Sequence, residues 1–202
     1  MPMPSFKKLS KSFYLDDTLT VAKNLIGKYI VREKDRNPLI VKITETEGYI
    51  GMIDKACHAY KGKRTPRTES LFLEGGHAYV YLIYGMYYCL NVVTEPENIP
   101  CAVLIRGGEL VADSDTESLS YIRYKKSYNE LSPYQLKNFV KGPGKLCKAL
   151  DITKEFDKIS LMGNNLYICE GESINPDLIK TGKRINIDYA EEAINFPWRF
   201  YV

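Results

Sequence analysis

The chain reads as an α+β protein built on a largely antiparallel sheet, and three observations predict it. Strand-like runs are interrupted by isolated amphipathic stretches without a regular βαβ alternation. The segment 78–93, AYVYLIYGMYYCLNVV, carries two runs of β-branched and aromatic residues around Gly85, the pattern of a β-hairpin. The length, 202 residues, suits one domain with a sizeable core or at most two small ones, and no internal repeat or linker divides it.

The elements follow in order. The opening MPMPSFKKLSKSF is basic with no apolar run behind it, so residues 1–12 read as a mobile arm and not as a signal peptide. Residues 17–28 read as a helix: Asp17 or Thr18 caps it, Val21, Leu25 and Ile26 give an apolar stripe, and Gly27 ends it. Strands are predicted over 28–34 and 39–47, separated by the turn Asp35-Arg36-Asn37-Pro38. Residues 54–70 are polar, basic and Pro-containing, a long loop with room for one helical turn.

The hairpin follows. A three-residue loop over Gly85–Tyr87 would place Tyr81 opposite Asn91, and a two-residue loop would place it opposite Leu90. The sequence leaves this register open. A strand over 101–106 leads into an excursion, 107–140, rich in Ser, Asp, Tyr and Lys, with one helix around 116–126. Gly142-Pro143-Gly144-Lys145 opens an apolar helix, and 158–170 reads as two short strands around Gly163-Asn164-Asn165. The C-terminal RINIDYAEEAINFPWRFYV begins and ends with strand-like runs.

Composition bounds the function. With 45% hydrophobic and 26% charged residues this is an ordinary globular composition. No apolar run approaches the roughly 18–20 residues needed to span a bilayer, and a cytoplasmic protein is expected. The five cysteines include no CxxC pair, which points away from a zinc site or disulfide framework. Cys89, Cys101 and Cys147 sit among apolar neighbours and read as buried thiols. A net charge of +3 is too mild to indicate nucleic acid by itself.

Chemistry-bearing residues cluster in a few strings. In ITETEGY, strand alternation puts Ile43, Glu45 and Glu47 on one face. Two carboxylates there fit either a solvent-facing edge strand or a functional pair, because buried carboxylates are costly unless paired. His58 in DKACHAY, one of two histidines, fits a hydrogen-bonded structural role better than a metal site. Lys61-Gly62-Lys63-Arg64-Thr65-Pro66-Arg67 is a basic loop suited to phosphates or simply to solvent. The hairpin contributes Tyr79, Tyr81, Tyr84, Tyr87 and Tyr88, with Tyr84 at its tip, where an aromatic wedge can enter a base stack. Lys145 follows a glycine-rich helix entry that is not a Walker A motif, since Leu146 stands where Ser or Thr is required.

In order along nearly the whole chain, VAKNLIGKYIV, ITETEGYIGMIDKACHAYKGKRTPRTESLF, YVYLIYGMYYCLNVV, CAVLIRG, GPGKLCKAL and PWRFYV resemble the alkyladenine (3-methyladenine) DNA glycosylase family. The resemblance implies a single compact domain spanning 1–202 around a curved antiparallel sheet, with surrounding helices, a protruding hairpin and no metal for chemistry. It assigns Glu47 as general base, and Arg106 as the arginine that helps hold the catalytic water and the flipped nucleotide. It implies Tyr49, His58 and Tyr81 as the residues that sandwich the flipped base, with Asn91 placed to clash with the 2-amino group of guanine. Tyr84 becomes the intercalating residue with Met86 beside it. Lys63, Arg64, Arg67 and Lys145 are the candidate phosphate contacts. This chain departs from the family in Gly107-Gly108-Glu109-Leu110, where Ala-Leu-Glu-Pro is usual, and in Asn186, where glycine is usual.

The expected activity is therefore hydrolysis of the N-glycosidic bond of alkylated or deaminated purines in double-stranded DNA, by a monomer that needs no cofactor. No lysine in the catalytic strings suggests a Schiff-base nucleophile, so strand cleavage is not expected. The rivals are a non-catalytic damaged-base recognition protein, a carbohydrate glycosidase using Glu45 and Glu47, and an RNA-binding domain.

Overall fold

A computed structural model describes residues 7–34, 37–112 and 114–202. Residues 7–12, expected to belong to a mobile arm, dock on the sheet: Leu9 is buried and its N–H donates to Ile168 O at 3.0 Å. Residues 1–6 of that arm lie outside the described residues. A short helix, α1 (Lys11–Tyr14), leads to α2 (Thr18–Asn24). Asp17 caps α2 by accepting the N–H groups of Leu19 and Thr20, both at 3.0 Å, and Val21 and Ala22 bury its inner face. Gly27 then turns the chain at φ 88°.

Two antiparallel strands follow, β1 (Tyr29–Arg32) and β2 (Leu39–Ile50), and the Asp35-Arg36 half of their turn lies outside the described residues. The expected loop over 54–70 is present, with 3-10 turns at Tyr60–Gly62 and Glu69–Phe72. Next come β3 (Ala78–Ile83), β4 (Tyr87–Thr94) and β5 (Cys101–Leu110). Three helices follow, α3 (Thr116–Tyr124), α4 (Pro133–Lys137) and α5 (Pro143–Ala149), then β6 (Leu166–Cys169), β7 (Lys180–Gly182) and β8 (Arg199–Tyr201).

The strands form one curled antiparallel sheet in the order β3-β4-β5-β2-β1-β6, with β8 joining β2 and β7. The arrangement makes β2 the spine. Strand β5 lies along one edge of β2, while β1 and then β8 share the other. Residues Glu45–Glu47 therefore sit between β5 and β8, in the middle of the sheet, where no edge faces solvent. The β2–β5 register is irregular on both sides of Glu45. Ile43 packs in the apolar core, whereas Glu45 and Glu47 both turn to Arg106.

The main core gathers Val21 and Leu25 of α2, Ile30 of β1, Val103 of β5, and Leu146 and Ala149 of α5. Burying each such aliphatic side chain is worth about 1.5–3 kcal/mol. A second, smaller cluster unites Cys57, Ala59, Leu71, Phe72, Tyr79 and Ala102 under the half-buried Tyr49 and Tyr81. All five cysteines are buried. Among the described residues no helix is long and apolar enough to cross a membrane.

Four local expectations need correction. The hairpin adopts neither proposed register: Tyr81 pairs with Cys89, Tyr79 with Asn91 and Ile83 with Tyr87. Tyr84 and Gly85 carry the positive φ values, 54° and 66°, and Met86 N–H returns to Ile83 O at 3.2 Å. The turn thus centres on Tyr84-Gly85, the hand that matches strand twist. Strand β5 runs on to Leu110, and Gly108 permits it: a Cβ there would lie 2.4 Å from Lys42 O and from Val41 Cγ1. Residues 158–165 form no strand: their pairing stops at the isolated bridge His77–Ser160 and the hydrogen bonds of Ala78 with Lys158 and Ile159, and does not continue along β3. Residues 184–187 are not a strand either: the Arg184 side chain turns into the protein and Asn186 takes φ 59°. Asparagine is among the few non-glycine residues that tolerate that region, which accounts for its standing in place of glycine.

Candidate active site

The hairpin, the middle of β2 and β5, the loop after Asp54, the entry of α5 and the segment 185–189 enclose a cleft of about 520 Å³. Its floor is the small second core. Alternation along the hairpin sends Tyr79, Tyr81, Cys89 and Asn91 to the cleft side, and all four line it. The observed pairing differs by two residues from the Tyr81–Asn91 alternative and by one from Tyr81–Leu90, so it keeps the facing side chains of the first and not of the second.

Glu47 lies behind the wall, fully buried. Its Oε2 accepts the Tyr49 hydroxyl at 2.7 Å and its Oε1 accepts the Ile185 N–H at 2.8 Å. Arg106 Nε lies 3.4 Å from Oε1. Tyr49, Arg106 and Ile185 all line the cleft. Burial raises the Glu47 pKa above the ordinary carboxylate value, outweighing Arg106 and the two hydrogen bonds, which pull it down. Glu45 takes the other side of Arg106: its Oε1 accepts Arg106 Nε at 3.1 Å and an Arg199 terminal nitrogen at 3.0 Å. The two acids thus share one arginine on one wall, which does not fit a sugar-cleaving pair flanking a substrate.

The aromatic wall is made by His58 with Tyr79 and Tyr81. His58 and Tyr81 ring centroids are 4.7 Å apart and nearly perpendicular, and His58 Nδ1 is 2.9 Å from the Tyr79 hydroxyl. Burial, with Arg67 nearby, lowers the His58 pKa to about 4, so the imidazole is neutral at pH 7. Asn91 is buried at the base of the wall and its Nδ2 donates to Tyr79 O at 3.1 Å.

Other sequence-picked residues divide. Arg67 lines the cleft with its guanidinium 5.4 Å from the Tyr81 ring centre. Lys145 lines it beside Gly142–Gly144, donating to Asn138 Oδ1 at 3.3 Å. Gly144 lets α5 approach the hairpin, since a Cβ there would sit 2.8 Å from Tyr87 Cβ. Tyr84 reaches the mouth yet is 73% exposed, and Met86 beside it is 68% exposed. Lys63 and Arg64 do not line the cleft. Arg64 is tied within its own loop, its Nε 3.0 Å and a terminal nitrogen 2.7 Å from the Glu69 carboxylate. Sequence reading missed the segment Ile185–Tyr189, which closes one side of the cleft. Its signal was the unusual Asn186, a mark of a left-handed turn and not of a strand.

With this geometry in hand, comparison places the chain. The Methylpurine-DNA glycosylase (MPG) family model matches residues 12–202. The chain belongs to the methylpurine-DNA glycosylase family. Enzymes of this family hydrolyse N-glycosidic bonds. A protein of Clostridioides difficile named as a 3-methyladenine DNA glycosylase is 49% identical, over 96% of this chain and 100% of the relative. One of Clostridium perfringens with the same name is 51% identical over 96% of this chain and 95% of the relative. One of Desulfitobacterium hafniense, so named too, is 47% identical over 97% and 95%. The range matched by the family model takes in every described strand from β1 to β8.

Proposed function

We propose that this methylpurine-DNA glycosylase acts as a monofunctional enzyme on alkylated or deaminated purines that it extrudes from duplex DNA, with Glu47 as general base. The observation that carries this reading is a fully buried carboxylate whose three polar partners all line an aromatic-walled cleft. A buried acid with a raised pKa beside a cleft is a poised proton acceptor.

In this mechanism the damaged base enters the cleft against Tyr49, His58 and Tyr81. A neutral His58 does not repel a cationic N3- or N7-alkylated purine, and the tyrosine faces attract it. Extrusion costs a few kcal/mol, less at a damaged pair. Tyr84, exposed at the hairpin tip, fills the vacated stack with Met86 against the neighbouring bases. The C1′–N9 bond breaks with its electron pair leaving on the base, and a water oxygen bonds to C1′ while Glu47 takes the water proton. The sugar becomes an abasic site and no strand is cut. Arg106 holds Glu47 and presents its terminal nitrogens to the nucleotide. Asn91 restricts the purine edge.

The cleft lining supports a polyanionic partner. Among the described residues it contains Arg67, Arg106 and Lys145 and no Asp or Glu. The enzyme would work as a monomer in the compartment that holds the DNA.

Single-turnover base release from duplexes carrying 7-methylguanine or hypoxanthine tests the reading. Glu47→Gln should release base at least about 10²-fold more slowly while still binding the duplex. Release at the wild-type rate would remove Glu47 from the mechanism, and a wild type that binds lesions without releasing them would make the protein a recognition factor.

A further inference from the structure

A second buried acid–base pair lies next to the cleft and has no part in the mechanism above. Arg184 and Asp54 have fully buried side chains. Both terminal nitrogens of Arg184 fork onto the Asp54 carboxylate, one of them at 2.7 Å. The same two nitrogens also donate to Gly48 O at 2.9 Å and Ala193 O at 3.3 Å. The guanidinium lies between two aromatic rings, 4.7 Å from the Tyr49 centroid and 5.0 Å from that of Trp198.

Several of these contacts connect directly to segments the site uses. Gly48 separates Glu47 from Tyr49. Ile185, the next residue after Arg184, supplies the N–H that Glu47 Oε1 accepts at 2.8 Å. Asp54 Oδ1 also accepts Ala56 N–H at 2.9 Å, fixing the turn that leads into His58. Trp198 O accepts the Gly48 N–H at 2.9 Å, joining the C-terminal segment to the same point of β2. The general base, the aromatic wall and the 185–189 side of the cleft are therefore tied to one ion pair.

Burying a full ion pair is a poor way to gain stability, because desolvation offsets most of the attraction. A planar fork that satisfies a bidentate acid and two carbonyls at once is, however, well suited to fixing geometry. We infer that Arg184, held on Asp54 between Tyr49 and Trp198, is a positioning residue that sets the orientation of Glu47 and the base-facing wall together. The inference rests on the reading of Glu47 as general base.

The groups facing Glu47 are Glu45 and Tyr49 on β2, Arg106 on β5, Cys89 on β4 and Arg184 itself, with the Ile185 N–H. The Ile185 hydrogen bond favours the ionised form of Glu47. Loosening it raises the Glu47 pKa, so the acidic limb of the rate profile, where the base must ionise, moves to higher pH. Generalised destabilisation of the fold would leave that midpoint in place.

The test uses the full chain with Arg184→Lys, Asp54→Asn and Glu47→Gln, each first checked for a cooperative thermal transition. Lysine keeps the charge at 184 but cannot form the fork, and asparagine keeps the shape and the Ala56 acceptor but loses the charge. Base release is measured at saturating enzyme on a 7-methylguanine duplex across pH, beside the duplex Kd. A misplaced catalytic group can cost about 10²-fold, so R184K and D54N should lose between about tenfold and 10²-fold in rate with Kd nearly unchanged. In R184K the acidic limb should move up. Wild-type rate and limb in both variants, with E47Q inactive, would overturn the positioning role alone. An active E47Q would overturn the general-base reading and this inference with it.

Discussion

Glu47→Gln makes opposite demands on stability and activity, which makes it the sharpest check on the site. At 3.4 Å, Arg106 attracts the Glu47 carboxylate by about 5 kcal/mol at an effective dielectric constant near 20. Two hydrogen bonds add to that. Burial nonetheless wins, since the Glu47 pKa is raised and not lowered. A carboxyl with a raised folded pKa contributes stability that is complete below its unfolded value. That stability is lost as pH rises through the folded value. At pH 8 the ionised group is therefore a net cost, and glutamine removes it while Oε1 can still accept the Ile185 N–H. Each tenfold bias that burial places on the ionisation is worth about 1.4 kcal/mol. In a chain of 202 residues that corresponds to a Tm change of about 3–6 °C. E47Q should thus melt higher than wild type at pH 8 and approach it at pH 4, while releasing base at least about 10²-fold more slowly. Differential scanning calorimetry at the two pH values, paired with single-turnover release, makes the measurement. A lower melting point for E47Q at pH 8 would show that Arg106 outweighs burial and that Glu47 is a structural ion-pair partner.

Three further outcomes follow from the same geometry. Tyr84 holds φ 54°, which costs a non-glycine residue about 1–2 kcal/mol, so Tyr84→Gly should melt no lower than wild type yet lose lesion affinity in a duplex titration. Unchanged affinity would count against the wedge. Arg67→Ala and Lys145→Ala should each reduce the slope of log K against log salt by about 0.9, whereas Arg64→Ala, already committed to Glu69, should leave it unchanged. A slope that falls equally for all three would mean the basic loop is used as a whole. The His58 pKa is lowered to about 4, so its contribution to stability is present above about pH 6.5 and lost as pH falls toward 4. His58→Asn should flatten the acid side of the stability profile over that window, and an identical profile would show that the imidazole is not neutral in the fold.

Much of this protein was legible in local pattern, because local pattern is where turns, caps and alternation are written. Asp17 caps α2, the hairpin runs 78–94 with Tyr84 at its tip, and α3 and α5 lie where a helix around 116–126 and the Gly-Pro-Gly entry were expected. The strings around Glu47, His58 and Arg106 were enough to name the family. Other features depend on partners distant in the chain. The sequence left open whether Glu45 and Glu47 face solvent, and only β8 arriving on one edge of β2, with β5 on the other, turns both to Arg106 and buries Glu47. Residues 184–187 look like a strand by composition, yet a buried arginine drawn to Asp54, 130 residues earlier, bends them into a wall of the cleft. Arg64 and Arg67 are equivalent in the sequence, and the positions of Glu69 and Asn98 commit the first while the second lines the cleft. Burial, charge pairing and the cleft itself come from segments meeting in space, so they were decided only when the sheet curled and brought its ends together.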